Sequence, residues 1–319
     1  MSTPKIVRVY KPKKYKMLNL IKTIKQRFGM IKNTNQNTKQ LLFNQRRFIL
    51  EQNILNSNEH GTTSEKYCDS NIIVSLTTYD KRIYDVHLTI QSIMEQTMKA
   101  NRIILWLDYS FKQKILPKAL QLLQKKGLEI CYCKDIRSYK KLIPSLQKFP
   151  DDVIITIDDD VIYEFDILER LIISYINNPN FIYCTRQHVM RKNDSCKLLP
   201  YENWLWASPS TDANIMNFPT GVGGVLYPPH SLDKEVFNES VFLDICKYAD
   251  DIWFKAMSLK NGTLSKKVYT HSPTSCDYIE IENVQDIGLR NINTSLGTRL
   301  NDKQIKAVFQ KYNLYKLLK

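Results

Sequence analysis

The feature that most constrains the fold is a regular alternation of short apolar segments with helical segments, which begins near residue 71. The apolar segments are rich in Ile, Val and Leu, as is typical of strands buried on both faces. The segments between them repeat apolar residues with a helical period. This order predicts an α/β fold, a mostly parallel, doubly wound sheet with helices on both faces. The predicted strands are residues 72–76, 102–107, 128–133 and an acidic segment from 153, and the predicted helices are residues 84–96, 117–126, 139–148 and 166–177.

The fourth predicted strand runs directly into three carboxylates, Asp158, Asp159 and Asp160. Carboxylates at the edge of an apolar core repel one another and lose hydration, so a divalent cation is their natural counter-charge. Along an extended chain, Asp158 and Asp160 point to one side and Asp159 to the other. The run therefore predicts a metal held by Asp158 and Asp160. A surface acidic turn at a strand end is the alternative.

The loop after the first predicted strand argues against two classes of nucleotide-binding protein. Ligands of doubly wound sheets bind at the carboxyl ends of the strands, where this chain places Thr77 and Tyr79. No GxGxxG follows that strand, and no GxxxxGK[ST] occurs in the sequence. Dinucleotide oxidoreductases and P-loop NTPases are therefore poor candidates.

The composition fits a protein with a substantial core and no membrane span. The chain has 319 residues, of which 43% are hydrophobic. It has no run approaching the roughly 18 apolar residues of a spanning helix. Its seven cysteines have no repeating spacing, and no apolar leader opens the sequence. These features predict a reducing, cytoplasmic location.

Positive charge is concentrated at the N-terminus. Residues 1–67 hold 14 of the 46 lysines and arginines and 3 of the 32 acids, a net charge of +11, whereas the remainder carries +3. Residues 17–31 have the apolar spacing of a basic amphipathic helix, which suits an anionic membrane surface. A solvated or oligomer-forming helix is the alternative. Nucleic-acid binding is disfavoured, because the basicity does not extend into the rest of the chain.

Taken in order, the motifs resemble those of GT-A-fold nucleotide-sugar-dependent glycosyltransferases. The resemblance is to family 2-like bacterial enzymes that build surface polysaccharides such as capsule and lipopolysaccharide. It covers residues 71–274 and rests on the first strand, the acid triplet, the glycine segment 220–225 and the pair Asp250–Asp251. It implies three regions. These are a basic helical N-terminal extension (1–67), a GT-A catalytic domain (68–275) and a C-terminal extension (276–319) that covers the active site or pairs protomers.

The resemblance implies a UDP-sugar donor and a Mg²⁺ or Mn²⁺ ion that neutralises the diphosphate leaving group. Asp160 is then a direct ligand, and Asp158 contacts the metal or the ribose. His271 directly follows residues 267–270, which are predicted to be the last core strand. By similarity it completes the coordination, which favours Mn²⁺ because imidazole suits that ion better. An ordinary strand-end histidine is the alternative.

An inverting glycosyltransferase needs a carboxylate that accepts the proton of the attacking hydroxyl. By resemblance, Asp251 is this base and Asp250 orients it. The family more often has Glu-Asp at this place, so the assignment between the two acids stays open. Acids that merely cap a helix are the alternative.

Further contacts are implied for the donor and the acceptor. Thr77 and Tyr79 face uracil and ribose, and Arg82 reaches a phosphate. Trp204 and Trp206 form an acceptor platform or, alternatively, part of the core. The polar segment 187–217 is predicted to be a mobile loop. The complete set of donor-binding candidates is Thr77, Tyr79, Arg82, Asp108, Lys140 (or Lys141), Asp158, Asp159, Gly223 and Gly224.

The sequence therefore predicts metal-dependent transfer of a sugar from a UDP-sugar to a glycan or lipid-linked glycan at the inner face of the cell membrane. A nucleotidyltransferase that makes sugar nucleotides is the first alternative, but residues 77–82 lack the glycines of its phosphate loop. A non-catalytic basic binding protein is the second, and it gives no reason for two separate acid clusters.

Overall fold

The computed structural model describes residues 37–271, 277–287 and 299–318. The chain divides into two compact units, Met1–Ile49 and Leu50–Lys319. The described part of the smaller unit is entirely helical. The strands that the structure describes and the cleft discussed below belong to the larger unit.

Helix α1 covers residues 37–56. The predicted amphipathic helix at 17–31 lies outside the described residues. The domain limits at 67/68 and 275/276 remain predictions. No helix in the described ranges is both long enough and apolar enough to span a bilayer.

Most strands of the larger unit belong to a central sheet. In the described part of the chain, seven strands form it in the order β10-β6-β9-β4-β1-β2-β3, and two small antiparallel pairs, β11-β5 and β7-β8, lie outside it. Strand β9 runs antiparallel to β4 and β6, and the other neighbours in the central sheet are parallel. The strands are β1 (Ile72–Thr77), β2 (Arg102–Asp108), β3 (Leu128–Cys133), β4 (Val153–Thr156), β5 (Val161–Tyr163), β6 (Ile182–Cys184), β7 (Gln187–Val189), β8 (Asn217–Pro219), β9 (Val225–Tyr227), β10 (Ser265–Lys267) and β11 (Tyr278–Glu280).

Helices cover both faces of the sheet, because each central strand is apolar on both sides. In β1, Val74 and Leu76 enter the core on one face and Ile73 enters the core on the other. Helices α2, α3 and α5 pack on the first face, and α4, α6, α7 and α8 pack on the second. Their bounds are α2 (Val86–Met94), α3 (Lys118–Gln124), α4 (Ile143–Lys148), α5 (Ile167–Asn177), α6 (Glu239–Ile245), α7 (Asp250–Asn261) and α8 (Leu300–Lys311). The prediction of a mostly parallel α/β sheet with helices on both faces is confirmed.

Two predicted segments differ from the observed elements. The helix predicted over 139–148 is a 3₁₀ turn, Arg137–Lys141, followed by α4. Pro144, in the first turn of α4, has no N–H to continue an α-helix from the preceding turn. The loop predicted over 187–217 begins with β7 and ends at β8, which pair with each other. Of its aromatic side chains, His188 and Trp204 are buried, whereas most residues between the two strands are irregular and exposed or half-buried.

Candidate active site

A cleft of about 510 Å³ opens at the carboxyl ends of the neighbouring parallel strands β4, β1, β2 and β3. Each of these strands delivers polar side chains into it, as expected for a doubly wound sheet. The start of α7 and the β7–β8 hairpin form the opposite wall. Its predicted site residues are Thr77, Tyr79, Arg82, Asp108, Lys140, Asp158, Asp159, Asp160, Trp206, Asp250 and Asp251.

The acid triplet forms a turn after β4 and is not extended. Strand β4 ends at Thr156, and the chain bends through Asp159 and Asp160 before β5 begins. The predicted alternation of side chains therefore does not hold. Asp159 is buried and accepts hydrogen bonds from Thr78 Oγ1 at 2.5 Å and Arg82 Nη1 at 2.6 Å. Both of its oxygens are occupied, so Asp159 fixes the turn.

Asp160 shares Arg82 with Asp159. Its Oδ2 lies 3.0 Å from Arg82 Nη2, and its carbonyl oxygen accepts from Ile281 N–H at 2.9 Å. Burial, and then the negative charge of Asp158, raise the pKa of Asp160 to about 7 despite the guanidinium. Asp158 and Asp160 thus have too little positive charge beside them, as expected of carboxylates that bind a cation.

His271 does not join Asp158 and Asp160, which corrects the predicted metal-ligand set. It is outside the cleft lining, and its Nε2 lies 2.7 Å from Asp166 Oδ2. Its backbone N–H donates to Asp277 Oδ2 at 2.9 Å. Among the residues that the structure describes, no group of three or more His, Cys, Asp or Glu side chains is arranged to hold a metal. The specific argument for Mn²⁺, which rested on imidazole, is lost.

Lys141 joins the two acid clusters. Its Nζ lies 2.9 Å from Asp158 Oδ1 and 2.9 Å from Asp250 Oδ2. Burial alone would lower the pKa of Lys141, but Asp158, Asp250 and Asp251 raise it well above the ordinary value. Lys141 is therefore a permanent buried cation between the end of β4 and the start of α7.

Asp250 and Asp251 have different surroundings. Asp250 is buried, pairs with Lys141 and accepts from Ser138 Oγ at 2.9 Å. Asp251 is half-buried, and both its oxygens accept from Gly221 N–H at 3.1 Å. Burial, and then the charge of Asp250, raise the pKa of Asp251 to about 7. Asp251 is thus reachable from the cleft and titrates near neutral pH, as suits a general base.

Gly223 and Gly224 do not line the cleft, which corrects their prediction as donor contacts. Both have positive φ, 104° and 101°. A Cβ on Gly223 would lie 2.4 Å from Thr185 Oγ1, so a glycine is needed for packing. Gly221 is the glycine at the site, because a Cβ there would lie 2.6 Å from Lys141 Nζ.

The end of the cleft at β2 and β3 contains Asp108 and Lys140. Asp108 accepts from Ser110 N–H at 2.8 Å. Lys140 Nζ lies 2.7 Å from Asp135 and 3.8 Å from Asp108, so its charge is already paired. Thr77 Oγ1 donates to the carbonyl of Trp106 in β2 at 2.8 Å. The hydroxyl of Thr77 therefore ties β1 to β2 at the cleft floor.

The two tryptophans predicted to contact the acceptor lie in different environments. Trp204 is 4% exposed, and its Nε1 donates to the carbonyl of Leu199 at 2.9 Å. It is a core residue outside the cleft lining, which corrects its prediction as an acceptor contact. Trp206 is 40% exposed, lines the cleft and lies 4.6 Å from the His188 ring, centroid to centroid. The exposed part of the Trp206 ring is therefore accessible to a ligand in the cleft.

Several cleft residues carried no local signal in the sequence. Lys141 appeared only as an alternative to Lys140, and Arg137, Arg186, His188 and Tyr248 were not predicted at all. Pro144 could have indicated a role for Lys141. A proline at this point favours a break before the helix, and the 3₁₀ turn found there frees the Lys141 side chain from a regular helix. The others are brought to the cleft by long-range packing.

No family model matches the sequence, and no curated protein is similar to it. Among solved structures, the chain resembles S. aureus TarS 1–349, crystallised in complex with UDP, with a TM-score of 0.40 and 14% sequence identity. The match covers 62% of this chain, and the chain spans 57% of the length of that one. A likeness this distant carries no argument about function.

Proposed function

We propose that this protein is a glycosyltransferase that uses a nucleotide-sugar donor. The supporting observation is the cleft in which Lys141 links the acids after β4 to the acids at the start of α7. One acid cluster suits the donor diphosphate with its cation, and the other suits the acceptor hydroxyl. Transfer between two bound substrates requires both kinds of group at one site.

The donor diphosphate is proposed to bind at Asp158 and Asp160 with Mg²⁺ or Mn²⁺. These residues fit such an ion, because Mg²⁺ is commonly held by one or two carboxylates together with substrate phosphates. The cleft lining also has more acids than bases, so a diphosphate alone would be repelled. When bound, the ion neutralises the leaving group. Thr77, Tyr79, Asp108 and Lys140 would hold the nucleoside, with UDP as the proposed nucleotide.

Asp251 is the proposed base of an inverting reaction. It takes the proton of the attacking acceptor hydroxyl at a carboxylate oxygen that Gly221 N–H orients. Asp250 is held by Lys141 and Ser138, so it serves as a positioning residue. The different burial of the two acids favours Asp251 over Asp250.

The acceptor is proposed to be a glycan or lipid-linked glycan, stacked on Trp206. The basic region 1–67 would dock the enzyme on the inner face of an anionic cell membrane, where surface polysaccharides such as capsule or lipopolysaccharide are built. The support for these statements is the charge distribution and the motif resemblance.

The first experiment is to measure UDP release from a panel of UDP-sugars, with Mg²⁺, with Mn²⁺ and with a chelator. We expect metal-dependent release that is abolished in Asp160→Ala. Asp251→Asn should bind the donor normally and lose about 10²- to 10⁴-fold in transfer, the usual contribution of a general base. Asp244→Asn, at an exposed acid of α6, is the matched control and should retain full activity.

The outcomes separate the candidate functions. Release that survives in Asp160→Ala or in the chelator would contradict the metal proposal. If no UDP-sugar gives UDP release, and a nucleoside triphosphate and a sugar phosphate are turned over, the protein would instead be identified as a nucleotidyltransferase. No nucleotide binding of any kind would remove the enzyme proposal altogether.

A further inference from the structure

Arg186 lies between β6 and β7 and lines the cleft in a half-buried position. Its Nη1 donates to Thr220 Oγ1 at 2.9 Å. Its carbonyl oxygen accepts from Thr220 N–H at 3.2 Å. Both the backbone and the side chain of Arg186 are thus held by one residue. The guanidinium is fixed in place before any ligand binds.

Arg186 differs from Arg82, Lys140 and Lys141 in having no carboxylate partner among the described residues. Arg82 is paired with Asp159 and Asp160. Lys140 and Lys141 are likewise paired with acids. A half-buried guanidinium without a counter-charge loses hydration without compensation, and an anionic ligand would supply it.

Arg137 also lacks a carboxylate partner in the described residues, but it is exposed. Its guanidinium lies 4.9 Å from the centre of the Tyr248 ring, so an aromatic face already contacts its charge. Hydration and this contact satisfy Arg137 without a ligand. Arg186, and not Arg137, is therefore the arginine for which an anionic ligand is expected.

The neighbours of Arg186 indicate which substrate would carry that anion. Thr220, which holds the guanidinium, is followed by Gly221, whose N–H donates to both oxygens of Asp251. The charge of Arg186 also acts on His188, which lies 4.6 Å, centroid to centroid, from Trp206, the proposed acceptor platform, so an anion at Arg186 is on the acceptor side of the cleft. Under the proposed function, the donor diphosphate would bind at Asp158 and Asp160 together with its own cation.

His188 contributes a second hydrogen-bond donor near this position. Burial, and then the charge of Arg186, lower the pKa of His188 to about 3, so the ring is neutral. Its Nδ1 accepts from Ala207 N–H at 3.1 Å, so the ring hydrogen is on Nε2. His188 lines the cleft, so its Nε2–H would be a donor that adds no charge.

We propose that Arg186 binds an anionic group, a phosphate or carboxylate, that the acceptor carries next to the hydroxyl being glycosylated. This inference rests on the proposed function and narrows the acceptor to anionic glycans. Neutral glycans would leave the guanidinium unpaired, so the site discriminates against them.

The test is calorimetric binding of inorganic phosphate to the full-length protein at constant ionic strength, with the donor site filled by saturating UDP and Mg²⁺. We expect wild-type protein to bind phosphate and Arg186→Gln to bind it at least about tenfold more weakly, as for a lost charged hydrogen bond. Thr220→Val, which keeps the charge, should weaken binding about two- to tenfold. Arg191→Gln, at an exposed arginine outside the cleft lining, should bind like wild type.

Each outcome decides the proposal. No phosphate binding by the UDP-bound protein, or equal binding by Arg186→Gln when its melting temperature matches wild type, would overturn it. If Arg186→Gln does not fold, Thr220→Val and Arg186→Lys, which loses the planar fork, provide the comparison. Failure of UDP itself to bind would count against the proposed function instead.

A second arm excludes an anionic donor sugar as the ligand. The affinities of UDP-glucose and UDP-glucuronate are compared in wild type and Arg186→Gln. We expect the substitution to leave the ratio of the two affinities unchanged, because Arg186 serves the acceptor. A selective loss of UDP-glucuronate binding would assign Arg186 to the donor and overturn the acceptor proposal.

Discussion

Lys141 is the single residue on which the electrostatics of the cleft most depends. It is buried between Asp158 and Asp250, and removing it leaves both carboxylates without their counter-charge. We expect Lys141→Met to lower the free energy of unfolding by about 3–5 kcal/mol, as for other broken buried ion pairs. Urea denaturation at neutral pH measures this loss.

The same experiment has a built-in pH check. The charge of Lys141 opposes the rise in the pKa of Asp251, so without Lys141 that carboxyl takes up a proton at higher pH, and the stability difference between wild type and Lys141→Met should shrink as the pH falls. Lys260→Met is the control, because it breaks an exposed ion pair with Asp233 and should cost at most about 1 kcal/mol. Equal losses in the two variants would show that Lys141 is not a critical buried cation.

The raised pKa of Asp251 predicts that activity depends on pH. A base must be ionised to accept a proton, and the pKa of Asp251 is raised to about 7, first by burial and then by Asp250. Transfer should therefore fall as the pH drops through about 7, while UDP binding at saturating metal stays level. In Asp250→Asn one of the raising charges is absent, so the fall should move to lower pH. A profile that is flat across neutrality would argue against Asp251 as the base.

At the scale of elements, the glycine segment between β8 and β9 fixes how the base is held. Gly223 packs against Thr185, and Gly221 binds Asp251 through its N–H. Gly223→Ala places a Cβ 2.4 Å from Thr185 Oγ1 in addition to the cost of a positive φ. We expect it to lower stability by more than the roughly 1–2 kcal/mol of a left-handed alanine, and to lower activity as well.

Gly262 offers the matched control for this prediction. It also has positive φ, 76°, but a Cβ there would meet no atom within 4 Å. Gly262→Ala should therefore show only the conformational cost and keep its activity. Thermal melting and UDP release on both variants test this, and equal effects would mean that the contact with Thr185 is unimportant.

For the whole molecule, the concentration of charge in residues 1–67 predicts binding to anionic membranes. The full-length protein should sediment with vesicles containing phosphatidylserine, and less so as salt rises. Replacing the five lysines within residues 5–16 by Gln should reduce this binding by tenfold or more, at about 1 kcal/mol per lysine.

Exposed lysines of α8 provide the comparison for the membrane prediction. Substituting Lys303, Lys306 and Lys311 by Gln removes three positive charges from the folded body, against five in the N-terminal variant. This variant should sediment like wild type. Equal binding to neutral vesicles, or equal loss in the two variants, would contradict membrane docking by the N-terminal region.

The sequence alone predicted strands β1 to β4, most of the helices that follow them and the acids at the carboxyl edge, but not β6 or the antiparallel strand β9. These features are local: an apolar run specifies a buried strand, and the loop that follows it must lie at the strand's end. Asp158 and Asp160 were predicted in this way, whereas Asp251 was predicted from the motif resemblance, and all three line the cleft. Asp250, predicted with them, is also there.

Only the tertiary structure decided which partners these residues have. Lys141 contacts acids on two different elements because distant segments of the chain pack side by side. For the same reason Arg186 contacts Thr220 and no acid among the described residues. The same packing took Trp204 into the core and paired His271 with Asp166. Residue type limits the chemistry a side chain can perform, but its charge partners and its burial depend on contacts that sequence spacing does not encode.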